Sequence, residues 1–236
     1  MWDVEDARIE ALMRPPVRSL VSVRRQRATA QMALFALTSL LAGDIVEAGV
    51  FHGGTTVLMA RVLRNVSSER RLWACDSFKG LPRAQQEDRG GNCSALLLQS
   101  NGDAESGESG GVIPRRSCKH GHMAMYYSPR NTVETALRGE GLSEYVHIVP
   151  GWFHESLPPV GLRSIGFLRL DGDTYNGTYE ALRWLYPLVV DGGIVYVDDA
   201  GSYKGAAMAL KAYFSRNIGT PIREEEGFYD AVWWRK

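Results

Sequence analysis

Two adjacent carboxylates, Asp198 and Asp199, follow Val-Tyr-Val in the stretch "VYVDDAGSY" (195–203). The preceding residues read as a strand, so a buried element delivers two like charges to its C-terminal end. Neighbouring carboxylates repel, and taking them out of water is costly. A second acidic run, "RLDGD" (169–173), ends another strand pattern one strand–helix–strand unit earlier. Strand ends in such a unit are neighbours or one strand removed, so Asp171, Asp198 and Asp199 are expected to converge. Three carboxylates that close together do not all stay ionised without a cation. A hard, oxygen-seeking dication such as Mg2+ meets that need: it takes one or a few carboxylates and keeps positions for water or substrate oxygens. Helix capping is the competing use, with Asp198 or Asp199 serving a helix near Tyr203 and Asp173 one at Thr174.

A second group of residues points to a nucleoside. "VEAGVFHGGTT" (46–56) places Glu47 on a strand, then Gly49, Gly53 and Gly54 in the turn after it. In a doubly wound sheet that turn borders the ligand crevice. The spacing is not G-x-G-x-x-G and no Walker lysine follows, so diphosphate binding is weakly supported. An acid beside the turn suits a cationic or hydroxyl-bearing ligand instead. S-adenosylmethionine offers both, an ammonium and sulfonium together with a ribose diol. Asp76 ends the next strand pattern, where an acid is placed to accept hydrogen bonds from ribose hydroxyls. A plain tight turn at Gly53-Gly54 and a capping role for Asp76 are the alternatives. His154 in "PGWFHESLP" falls at the same sheet edge, as a base, a substrate contact or an exposed loop residue. Cys118, His120 and His122 lack a fourth ligand at a zinc-like spacing.

These residues need a scaffold that gathers strand ends. Residues 4–13 and about 18–42 read as helices, the second with Leu20, Val23, Ala30, Met32, Leu34 and Leu37 near helical spacing, and Pro15-Pro16 separating the two. Strand patterns at 44–50, before Asp76, in "YVHIVPG", in "SIGFLRLDGD" and in "GGIVYVDD" alternate with helical ones at 55–66, in "SPRNTVETALRGEGL", in "TYEALRWLYPLVV" and in "YKGAAMALKAYFSR". Ser128 is the expected N-cap of the "SPRNTVETALRGEGL" helix, with Pro129 in its first turn. From about 83 to 125 the periodicity breaks into a Gly-, Ser- and Asn-rich insertion, a lid or a passive loop. "TPIREEEGFYDAVWWRK" reads as two strands around a tight turn. The expectation is an α/β, doubly wound, mostly parallel seven-stranded sheet with an antiparallel edge hairpin. Residues 1–43 form an N-terminal helical region and 44–236 the main domain. This is the layout of the doubly wound methyltransferase fold rather than of a purely parallel dinucleotide fold.

Composition narrows the setting. The 236 residues carry no formal net charge, with 44% hydrophobic and 23% charged residues. No global basic field recruits nucleic acid or an anionic membrane, and the basic run "RRQRATAQ" reads as a solvated helix face. No apolar run approaches the roughly 18–20 residues of a membrane span. Three widely spaced cysteines argue against a disulfide framework and for a reducing, cytoplasmic compartment. A homo-oligomer is compatible with the sequence.

The motifs "VEAGVFHGGTT", "CDSFKGLP", "VPGWFHESLP", "RLDGDTYNGTYEALRWLYPLVVDGGIVYVDD" and "VWWRK" together resemble the macrocin O-methyltransferase family. That resemblance implies an S-adenosylmethionine- and Mg2+-dependent enzyme that methylates a hydroxyl of a small-molecule acceptor, a sugar or other secondary metabolite. It implies Asp171 as metal ligand and general base, with Asp198 and Asp199 as further ligands. Glu47, Gly49, Gly53 and Gly54, with Thr55 after them, would line the cofactor site, and Asp76 would face the ribose beside Ser77 and Phe78. His52 stands where an Arg is commoner. The rival readings are an NAD-dependent oxidoreductase, a non-catalytic binding protein on the same fold, and metal-independent methylation with His154 as base.

Overall fold

The computed structural model describes residues 6–39, 41–66, 68–88, 126–198, 200–216 and 231–236. Helices α1 (Ala7–Leu12) and α2 (Val23–Thr38) precede an alternating series. It runs β1 (Asp44–Ala48), α3 (Gly54–Asn65), β2 (Leu72–Asp76), α4 (Arg130–Gly139), β3 (Val146–Pro150) and α5 (Phe153–Ser156). It continues through β4 (Ile165–Leu170), α6 (Tyr175–Leu185), β5 (Val189–Val197), α7 (Lys204–Arg216) and β6 (Val232–Arg235). The sheet order is β3-β2-β1-β4-β5-β6, parallel except for β6 against β5. Six strands are described; the first strand of the expected C-terminal hairpin falls in residues 217–230, outside them.

Every residue of β4 is buried, as a strand covered by helices on both faces requires. One face packs Ile9, Met32, Leu58, Leu63, Val133 and Leu137 from the first four helices. The other packs Leu157, just after α5, with Leu182, Leu185, Leu210 and Tyr213 from α6 and α7. Chain order reverses between β1 and β4, which opens a crevice beyond their C-terminal ends. The register sets Glu47 beside Arg169 and Arg169 beside Tyr196 across β1, β4 and β5. In neighbouring parallel strands such residues share a face, so three polar side chains line up inside the sheet. No described helix is long and apolar enough to cross a membrane.

Several boundaries depart from the sequence pattern. Helix α2 begins at Val23, with Ser22 accepting from Arg25 N, rather than near residue 18. Leu20 and Val23 are not core residues, being 69% and 61% exposed. Helix α4 begins at Arg130 with Pro129 as its cap residue, because the Ser128 hydroxyl meets His52 Nδ1 at 2.9 Å instead. Helix α6 gives way to a 3-10 turn at Tyr186–Leu188, and Val189 already pairs in β5. Thr174, not Asp173, caps α6 by accepting from Gly177 N. The insertion is described through Asp88, whose carboxylate accepts from Gln85 N and from Tyr175 N at the start of α6. Residues 89–125, with Cys93, Cys118, His120 and His122, lie outside the described residues.

Buried Arg61 on α3 fastens the N-terminal segment. Its Nε and Nη2 donate to Glu140 at 2.7 Å each, and Nη1 donates to the carbonyls of Leu12 and Pro15 at 2.9 and 2.8 Å. Arg61→Met removes all four bonds and leaves two carbonyls short of a donor, an expected cost of about 2–4 kcal/mol. A drop in the urea midpoint with unchanged slope checks it; an unchanged midpoint rejects the fastening role.

Candidate active site

Arg169 stands at the centre of the acidic cluster. Its guanidinium is fully buried at the end of β4. Nη1 donates to Asp171 Oδ2 at 2.9 Å and to Glu47 Oε1 at 3.3 Å, and Nη2 donates to Asp198 Oδ2. A second guanidinium arrives from α2: Arg25 Nη1 donates to Asp198 Oδ1 at 2.7 Å, an oxygen that also accepts from Tyr196 OH at 3.2 Å. Asp171 and Asp198 thus do converge, and the cations between and beside them here are arginines. Asp199 lies outside the described residues, among which no group of three His, Cys, Asp or Glu is placed to hold a metal.

Burial alone opposes the Arg169 charge, but Asp171, Asp198 and Glu47 overcome it and keep the guanidinium protonated. Burial raises the Asp198 carboxyl above its usual range, reinforced by Asp171 and resisted by Arg169 and Arg25. Glu47 is fully buried, accepts from the hydroxyls of Thr55 and Thr56, and is pushed up to about 7, chiefly by burial.

Asp76 organises the other half of the site. Its Oδ2 accepts from Val50 N at 2.7 Å and Phe51 N at 3.1 Å, and its Oδ1 from Phe78 N at 2.7 Å. Those bonds hold two non-glycine residues in the left-handed region, Phe51 at φ 50° and Phe78 at φ 54°. Gly49, at φ 97°, passes so close to Asp171 that a Cβ would lie 1.8 Å from the Asp171 carbonyl oxygen. Gly54 starts α3 where a Cβ would lie 2.4 Å from the Arg18 carbonyl oxygen. These glycines are fixed by chain meeting chain.

A cavity of about 840 Å3 opens at the crevice, walled by Gly49, Gly54, Thr55, Asp76, Ser77, Asp171 and Asp198 among others. Arg18 to Val21, Arg25, Asn176, Glu180 and Tyr203 also line it. Glu47, Gly53 and Phe78, expected in the wall, are not among the lining residues. Glu47 lies behind the wall, bonding the first turn of α3 to Arg169. His154 reaches the cavity from α5 with its side chain 61% exposed and 3.6 Å from Glu155. Sequence reasoning missed both arginines. Arg169 had a signal: two residues before Asp171 on a strand, it must share that acid's face. Arg25 had none, since a basic run on a helix reads as solvated.

The buried Glu47 gives a pH signature. Its folded pKa is raised, so the stability it contributes is present below the unfolded value of 4.5 and is lost as pH rises to about 7. In Glu47→Gln that loss disappears. The wild type's stability is therefore expected to fall relative to the variant's by up to about 3 kcal/mol between pH 4 and 8. Urea unfolding of both proteins across that range checks it; parallel curves would place the Glu47 pKa near its ordinary value.

Known proteins share this chain's fold and much of its sequence. The family model described as Macrocin-O-methyltransferase (TylF) matches residues 4–98 and 115–236. The chain is 32% identical over 196 residues to the 8-demethyl-8-(2,3-dimethoxy-alpha-L-rhamnosyl)-tetracenomycin-C 4'-O-methyltransferase of Streptomyces olivaceus, covering 82% of this chain and 66% of that protein. It is 30% identical over 183 residues to the demethyldecarbamoylnovobiocin O-methyltransferase of Streptomyces niveus, covering 77% of this chain and 62% of that protein. The chain thus spans less than two thirds of the length of these two relatives. The solved O-methyltransferase NovP superposes with a TM-score of 0.74 at 26% identity, covering 92% of this chain and 81% of that one. The sheet and its helices are those of a class I methyltransferase, and the chain belongs to the macrocin O-methyltransferase family.

Proposed function

We propose that this chain transfers a methyl group from S-adenosylmethionine to a hydroxyl of a small-molecule acceptor, a sugar or other secondary metabolite, with Mg2+ at the acidic edge of the site. The observation that carries the reading is one cavity at the sheet's reversal point joining the glycine turn, Asp76 and the Asp171–Asp198 pair. The two relatives above bear names of O-methyltransferases, one of them acting on a rhamnosyl tetracenomycin, which supports the same acceptor class.

The residues fit the implied groups. The cavity has room for a nucleoside and more, and α3 opens on Gly53 with no side-chain cap, leaving first-turn N–H groups to meet a carboxylate of the ligand. Asp76 belongs at the ribose; its carboxylate has capacity beyond the backbone donors it already accepts. Bound S-adenosylmethionine supplies a methyl group carried on a sulfonium. Asp171 and Asp198 bring carboxylate oxygens, the donor type for Mg2+, to the cavity wall, those of Asp198 being held here by Arg169 and Arg25, with Asp199 as the expected third. Bound Mg2+ supplies Lewis acidity that lowers the pKa of the acceptor hydroxyl.

The chain's own residues do the rest. Asp171 faces the cavity with its side chain 21% exposed while its Oδ2 is anchored to Arg169, so it can take the acceptor's proton without losing its orientation. His154, so exposed, is assigned to acceptor contact rather than to proton removal. Cys75 is a free, buried thiol, in keeping with a reducing cytoplasm.

A thermal-shift comparison with transfer of a labelled methyl group tests the reading. S-adenosylmethionine and S-adenosylhomocysteine are expected to raise the melting temperature where NAD does not, and EDTA to stop transfer to a glycosylated acceptor. Stabilisation by NAD alone would reverse the cofactor assignment, and full activity in EDTA would remove the metal.

A further inference from the structure

Two cations hold Asp198, and they are not equivalent. Arg169 is fully buried and gripped by three carboxylates, Glu47, Asp171 and Asp198, so it has no path out. Arg25 comes from the first turn of α2, lines the cavity, and its side chain is 20% exposed. Its guanidinium lies on Asp198 Oδ1, the oxygen that Arg169 leaves open. Mg2+ binds a carboxylate oxygen at about 2.0–2.1 Å in a near-octahedral shell. An oxygen that already takes Arg25 at 2.7 Å and Tyr196 OH at 3.2 Å has no clear approach left for such an ion. A dication bound there would also face a guanidinium in direct contact, a like-charge repulsion inside a water-poor wall.

We infer that Arg25 is a built-in occupant of the cation position on Asp198, which a divalent ion must displace before it binds. The inference rests on the Mg2+ reading above and says what sets the ion's affinity. Asp198 is almost completely buried, and a buried carboxylate needs compensation in every state of the enzyme. Arg25 provides it in the ion-free state; the ion provides it in the loaded one. The exchange reaches the cavity wall, because Arg18 to Val21, just ahead of α2, also line it. Ion loading and the shape of that wall are thereby linked through one side chain.

The test uses metal ions alone on the intact chain, with no turnover. Dissociation constants for Mn2+ are read from the free aqua-ion signal in electron paramagnetic resonance, and Mg2+-induced melting shifts accompany them. The proteins are wild type, Arg25→Gln, Arg25→Lys and Asp171→Asn. Arg25→Gln is expected to bind Mn2+ about tenfold more tightly than wild type, since the ion no longer displaces a paired charge. Mg2+ is expected to raise its melting temperature more than the wild type's. Should the Gln variant fail to fold, Arg25→Lys keeps the charge on a more mobile ammonium and is expected to show a smaller gain of the same sign. Equal Mn2+ constants in wild type and the Arg25 variants, with weaker binding in Asp171→Asn, overturn the inference and leave the metal reading standing. Binding that Asp171→Asn does not weaken overturns the metal reading itself.

Discussion

Asp171→Asn is expected to lower the rate of methyl transfer by about 10²–10⁴-fold, the range for removing a positioned proton acceptor, with S-adenosylhomocysteine affinity nearly unchanged. The substitution is almost isosteric. An Asn carbonyl in the place of Oδ2 keeps an acceptor for Arg169 Nη1, which the native carboxylate takes at 2.9 Å, so the local fold should survive. Basicity and the negative charge that would face a dication are lost. Cofactor affinity should hold because the glycine turn and the Asp76 loops are organised by other bonds. The loss should appear in kcat and kcat/KM together, the mark of an interaction made in the transition state. Single-turnover transfer of labelled methyl, with parallel calorimetry of S-adenosylhomocysteine, measures both. Turnover within about threefold of wild type would remove Asp171 from proton transfer, and His154, also at the cavity, would become the residue to test.

The fold was readable where burial dictates composition. "IGFLRL" and "DIVEA" are strands between two layers of helices, and little but apolar residues survives there. The start of α2 was misread because Leu20 and Val23 fall at helical spacing yet stand exposed, Leu20 in the cavity wall. Periodicity does not separate a residue facing the core from one facing a ligand. The site divides in the same way. Its acids were legible, since carboxylates ending apolar strands have few reasons to be there. Their counter-charges were not. Arg25 and Asp198 lie on opposite ends of the chain and meet only because the sheet order carries β5 beside β4 under α2. Glu47, expected in the cofactor wall, is fully buried and does not line the cavity. Its partners, Thr55 and Thr56 on α3 and Arg169 on β4, hold it inside the sheet layer rather than at the cavity, which the spacing of acids and glycines does not reveal.

Arg169 carries the largest expected effect on stability. Arg169→Met is close in volume and apolar, so packing changes little, but Glu47, Asp171 and Asp198 lose the guanidinium they share. Removing one partner of a buried ion pair costs about 3–5 kcal/mol, because the charge left behind is uncompensated. Here Arg25 remains for Asp198 and the two threonine hydroxyls remain for Glu47, so the folded state can persist in weakened form. The sign with pH distinguishes charge from packing. Burial already raises Glu47 and Asp198 above their ordinary values, and without Arg169 they should rise further. The penalty in the variant should then be greatest at neutral and alkaline pH, where both would have to ionise, and should shrink as pH falls and they take up protons. Adding Asp198→Asn should recover part of the loss at pH 8. Arg169→Lys should not substitute, because a single ammonium cannot span the three acceptors that two Nη groups reach. Urea unfolding of the single and double variants at pH 5 and pH 8 decides the matter. A loss that is equal at both pH values and untouched by Asp198→Asn would mean that Arg169 contributes by filling space, and the buried charge cluster would no longer explain why two strands end in acids.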